Sequence, residues 1–237
     1  MAIYITGGAW ISSAGHGFLG DGKGLKIDGQ EPLIPPSREV FDTPLARYGR
    51  FDTFTKLGCT AAALALKNAK SGEIGKNARV GMIISSLFEI MDTDINYYET
   101  TLDEEGALSS PNLFSYTLPV IVLGETAVYF NLTGPTFCVG ENDEGRGLNA
   151  LQSAIAMINS GKADKMLVGW IDSPPPDIEP AGRLKTDRGA IFVILESNID
   201  KPLPSFNKVS YNGGGLLINN KKTVTSIIDF FKEGDSL

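Results

Sequence analysis

Three carboxylates, Glu141, Asp143 and Glu144, crowd the stretch GENDEGRG, between a short apolar run and a long helical pattern. Acids at such a spot have three uses. They can complement the positive end of the helix that follows. One of them can act as a base or a nucleophile. Together they can hold a divalent cation, although they lack the regular spacing of a calcium loop. They argue against a bound phosphate, which they would repel. Cys138 precedes Glu144 on the apolar run, and Cys59 lies in an alanine-rich segment. Both read as small apolar core residues rather than reactive thiols. His16, the only histidine, sits in the loop-like SSAGHG and reads as a bystander rather than a general base.

The elements that must position these groups run from Gly134 to Asp172. Thr136–Gly140 is predicted as a strand, Glu141–Gly147 as a turn, and Leu148–Ser160 as a helix. Leu151, Ala154, Ile155 and Ile158 give that helix its spacing, and Gly161 ends it. Met166–Ile171 is a nearly continuous apolar run, as in a strand covered on both faces. This is a βαβ unit, where ligands meet the carboxyl ends of the strands. Elsewhere, strands are predicted over Ile3–Ile11, Arg79–Leu87, Gly189–Glu196 and Phe206–Tyr211. Helices are predicted over Phe51–Ala69, Pro119–Phe130 and Thr223–Lys232. Gly15–Asp42, Glu89–Ser110 and the proline-rich Ser173–Pro180 read as loops, the second with some irregular helix.

The chain resembles the β-ketoacyl synthases, condensing enzymes of fatty-acid and polyketide synthesis. Five stretches carry the likeness: the opening ITGG strand; the RYGRFD before a helix; the SPNLF that leads to Gly134-Pro135; the Ser160-Gly161-Lys162-Ala163-Asp164 before a strand; and the GAIFVILE strand. Together they cover about residues 3–196, and residues 197–237 are expected to be a C-terminal extension of a single domain. The implied fold is α/β, a thiolase-like half-fold with a mixed, mainly parallel sheet and helices on both faces. In the family a cysteine follows the GP strand as the nucleophile. Aligned forward from Gly134 that position falls on Asp143; aligned backward from Gly161 it falls on Glu144. A carboxylate could take an acyl group only as an anhydride, which water destroys. The family's second half, with its two catalytic histidines, is not expected in this chain.

The resemblance therefore implies a non-catalytic ketosynthase-like protein. It would act as a homodimer, or as a chain-length-factor-like partner of a ketosynthase, with acyl carrier protein as a possible further partner. One alternative is an acyl-thioester acyltransferase or decarboxylase using Glu144. Another is an acyl-chain or small-ligand binding module. The family's dimer face would be Pro119–Gly140. No cofactor and no metal are implied.

Charge and composition agree. At 237 residues, 42% hydrophobic and net charge −7, a soluble acidic domain is expected. Such a surface attracts neither nucleic acid nor anionic membrane. No signal peptide or membrane span is read, and two lone cysteines fit the reduced cytoplasm. The helix Leu148–Ser160 carries apolar residues around most of its girth. It is expected to need cover on a second side, partly from Ile227, Ile228, Phe230 and Phe231.

Overall fold

The structure, a computed structural model, describes residues 2–69, 78–142, 144–175, 186–197, 199, 202–203, 207–212 and 215–232. Nine strands form one sheet: β1 (Ile3–Ser12), β2 (Gly15–Phe18), β3 (Val80–Ser86), β4 (Thr136–Gly140), β5 (Lys165–Asp172), β6 (Gly189–Ser197), β7 (Asn207–Asn212), β8 (Gly215–Ile218) and β9 (Lys222–Val224). The helices are α1 (Ser37–Val40), α2 (Thr53–Asn68), α3 (Met91–Glu99), α4 (Pro111–Phe114), α5 (Ile121–Phe130) and α6 (Leu148–Asn159), with single 3-10 turns at Tyr48–Arg50, Glu104–Gly106 and Ile227–Phe230.

The sheet runs β4-β3-β5-β6-β1-β7-β8-β9, with β2 paired to β1. The fold class is α/β, but the sheet is not mainly parallel. Only β3–β4 and β3–β5 are parallel; every other pairing is antiparallel. The reason lies in the connections. A parallel neighbour needs a crossover, as the helices between β3, β4 and β5 provide, whereas β1–β2, β7–β8 and β8–β9 follow one another closely in sequence and pair antiparallel. The C-terminal residues do not stand apart, because β7 pairs directly with β1.

Side chains alternate across the sheet and build two cores. In β6, Ala190, Phe192 and Ile194 face α2, whereas Ile191, Val193 and Leu195 face α6. In β1 a register shift between Ile5 and Gly7 changes that parity. Ile3 and Ile5 therefore share a face with Trp10 rather than with Ala9 and Ile11. Asp52 caps α2 by accepting the Thr55 amide at 3.0 Å. Residues from Phe54 to Ala65 are buried almost without a break, because α2 packs on α5 as well as on the sheet. The approach is close at Gly58: a Cβ there would come 2.5 Å from atoms of both Ile171 and Val122.

The helix that is buried all round is thus α2, and the expectation for α6 needs correcting. Ala150, Leu151, Ala154, Ile155 and Ile158 are buried, but Gln152, Ala156 and Asn159 are exposed. An ordinary amphipathic stripe suffices. The C-terminal segment does fold back, yet it is not the amphipathic helix expected over Thr223–Lys232. Thr223 and Val224 are β-branched and extend the sheet beside β8. Ser226 and Asp229 then form a capping box on one short 3-10 turn. Ile227, Phe230 and Phe231 are buried, mainly against the sheet rather than along α6. Within Glu89–Ser110, expected as loop and irregular helix, α3 is a regular helix. The hairpin β2 likewise falls inside a predicted loop.

Candidate functional site

Strand β4 ends at Gly140, and α6 begins after seven intervening residues. The turn between them is tight. Arg146 has φ 21° and Gly147 φ 91°, and a Cβ on residue 147 would sit 2.9 Å from Cβ of Ile227. Only glycine fits there without strain. The side-chain amide of Asn149 donates to the Gly140 carbonyl at 2.8 Å and closes the turn.

The three acids take different places. Glu141 turns inward. Its Oε2 accepts the backbone amides of Gly147 (2.9 Å) and Asn149 (3.3 Å) and the hydroxyl of Ser85 (3.0 Å). Its carboxylate therefore fills the positive end of α6. Glu144 is exposed on the turn; its amide donates to Asn142 Oδ1 at 3.1 Å. Asp143 lies outside the described residues.

Glu144 borders a cleft of about 330 Å³, shared with Arg146, Asp187, Ser226 and Lys232 and with apolar Ile27 and Ile228. Arg146 pairs with Asp187, its Nε donating at 2.8 Å, and Lys232 pairs with Asp229 at 2.6 Å. The Arg146 carbonyl accepts the Ile227 amide (3.0 Å) and the Ser226 hydroxyl (3.2 Å), so the C-terminal turn is fastened to this bend.

A second polar centre lies at the carboxyl ends of β3 and β5, and the sequence reading missed it. Asp172 is 3% exposed. It accepts the Ser86 hydroxyl (2.6 Å), the amides of Leu87 (3.0 Å) and Phe88 (2.9 Å), and the Trp170 indole N–H (2.8 Å). Burial pushes its carboxyl up to about 6, even against these four donors. The available signal was an aspartate closing an otherwise apolar strand, opposite a Ser-Ser pair closing another. Glu141 was seen only as one of three acids, because spacing cannot say which of them points inward.

The other residues read from the sequence stand apart. Cys138 is half-buried on β4 and packs toward α2, and desolvation pushes its thiol up to about 12. Cys59 is buried in α2 and is likewise pushed to about 12 by burial. Such thiols are not nucleophiles near neutral pH. His16 is on β2, edge-on to Phe18 at 6.2 Å, and does not line the cleft. Among the described residues no group of His, Cys, Asp or Glu is arranged to hold a metal ion. Among those residues, too, no helix is long and apolar enough to cross a membrane.

A strand, a strained bend and a helix thus stand at the carboxyl ends of parallel strands, in a sheet covered by helices on both faces. The family model of the β-ketoacyl synthase N-terminal domain matches residues 35–181, and the chain belongs to that family. It is 26% identical over 140 residues to 3-oxoacyl-[acyl-carrier-protein] synthase 2 of Staphylococcus aureus, covering 56% of this chain and 33% of that protein. The chain thus spans about a third of the length of the curated relatives it matches. Among solved structures it is similar to the ishigamide ketosynthase/chain length factor, with TM-score 0.64 and 16% identity over 88% of this chain and 66% of that one. A ketosynthase in complex with its chain length factor from Xenorhabdus doucetiae gives TM-score 0.59 and 14% identity, over 84% and 81% of the two chains. A type II polyketide ketosynthase, solved with its acyl carrier protein and a hexaketide, gives 0.58 and 17%, over 82% and 62%. At these identities the structural likenesses establish the fold.

Proposed function

We propose that this protein is a non-catalytic, ketosynthase-like partner in fatty-acid or polyketide assembly, working in the cytoplasm beside an intact ketosynthase. One observation carries the reading. The amides at the start of α6, which in an acyl-transferring relative would face a nucleophile and its developing charge, are taken by the carboxylate of Glu141. No Cys, Ser or Thr occurs from Glu141 to Gly147. The position expected for the nucleophile, Glu144 or Asp143, carries an acid instead. Two structural relatives are ketosynthase–chain length factor pairs, which supports pairing. Among the described residues β4 is an edge strand, and α5, which precedes it in sequence, exposes Val128, so the segment offers both an open edge and an apolar side chain.

The test is co-expression of the full chain with each intact ketosynthase encoded in the same genome. A stable heteromeric pair is expected by sedimentation, and no turnover of malonyl or acyl thioester by the chain alone. Turnover by the purified chain, abolished by Glu144→Gln, would replace this reading with that of a decarboxylase or acyltransferase. That second reading is favoured by the cleft beside Glu144. Capture of acyl carrier protein together with the pair would support a place in chain assembly.

A further inference from the structure

Residues 80–145 hold eleven Asp and Glu and no Lys or Arg, so the rest of the chain, with a total of −7, is net positive. The same stretch carries most of the exposed large apolar side chains. Helix α3 is anchored by buried Phe88 and Ile90 just before it, yet Thr93 is its only buried residue. Its apolar stripe faces outward. Met91, Ile95 and Tyr98 are exposed, and Leu102 beyond the helix is 61% exposed. Positions 91, 95, 98 and 102 follow helical spacing, so these side chains form one ridge.

The ridge continues onto α4. The Tyr97 and Phe114 rings lie 5.5 Å apart, and the Ser110 amide donates to the Thr100 hydroxyl at 3.0 Å. Phe114 and Leu118 are themselves exposed, and the chain then enters α5. Asp94, Glu99 and Asp103 stand exposed along the same segment.

A contiguous apolar ridge in water marks a docking surface, and its charged rim selects the occupant. Two copies of this face would bring like charges together. An apolar groove edged with Lys and Arg would gain burial and charge pairing at once. We infer that the α3 ridge docks the partner ketosynthase in an apolar, basic-rimmed groove, and not a second copy of this chain. The inference rests on the pairing proposed above and extends that face from α5 across α4 to α3.

The experiment measures affinity between the full chain and its co-expressed ketosynthase at low and high salt. Binding should weaken several-fold with added salt as the rim is screened. The double variant Asp94→Lys, Glu99→Lys should weaken it by about tenfold, and Ile95→Ser with Tyr98→Ser by about tenfold or more. These side chains are exposed, so circular dichroism and melting should be unchanged. Variants that pair as tightly as the parent would overturn the inference and leave the pairing standing. Failure of every ketosynthase to bind would remove both. A dimer of the chain alone at low salt, dissolved by Tyr98→Ser, would make a second copy the occupant and also overturn it.

Discussion

Replacing Glu141 by Gln removes the charge that faces the amides of Gly147 and Asn149 while keeping the side-chain shape. The loss is predicted at about 1–2 kcal/mol, read from urea unfolding, since a charged acceptor at a helix start is worth roughly that much. Glu144→Gln, on the exposed side of the same turn, should shift stability by less than about 0.5 kcal/mol. Equal effects would mean that Glu141 is not the group holding α6.

Asp172 gives a pH-dependent prediction. Its folded carboxyl is raised to about 6 by burial, against about 3.9 in an unfolded chain. Between those values the folded state holds the proton that the unfolded state has released. Its contribution to stability is therefore complete below about pH 4 and is lost as pH rises through about 6, a difference on the order of 3 kcal/mol. Asp172→Asn should flatten that part of the stability profile relative to the parent. Parallel profiles would show that Asp172 does not titrate there.

Among the elements, the C-terminal turn is the one whose loss should be most damaging. Removing residues 223–237 strips Ile227, Phe230 and Phe231 from the core. Each large side chain contributes about 1.5–3 kcal/mol, so the sum approaches the whole stability of a typical domain. The truncated chain is expected to aggregate; a soluble protein melting with the parent would refute this. Gly147→Ala is the gentler probe of the same joint. Positive φ and the clash with Ile227 should together cost about 1–3 kcal/mol.

Most elements were legible in the sequence, because burial dictates their patterns. The apolar runs that became β5 and β6 lie between two layers and could scarcely be anything else. Strand β4 was found with its bounds because Pro135 and Gly140 punctuate it. Three features were hidden. The outward apolar stripe of α3 resembles no core pattern, since none of the described residues covers it. The helix expected over Thr223–Lys232 gave way to pairing with β8, a tertiary contact that periodicity cannot show. Strand direction is not legible because the βαβ pattern suggests a parallel sheet, whereas antiparallel pairs, both between consecutive strands and between β1 and the distant β6 and β7, fill the rest of it. At the candidate site the acids could be placed on the bend, but neither the inward turn of Glu141 nor the ring of donors around Asp172 was readable.

For the molecule as a whole, β1 sets the timetable of folding. It precedes the other strands in sequence and lies inside the sheet, yet Ile3 is opposite Ser197 and Val209. Beyond its local hairpin with β2, this strand has no neighbour until the residues of β6 and β7 have left the ribosome. The local units β3 to β5, with their helical crossovers, can form without it. The opening strand must then wait, extended and apolar, and insert between β6 and β7 near the end. Closing such distant pairings is slow, on the millisecond-to-second scale. During that wait β2 partners only the second half of β1, and the edge from Ile3 to Gly7 stays open to any chaperone, or to any other nascent chain, that reaches it first.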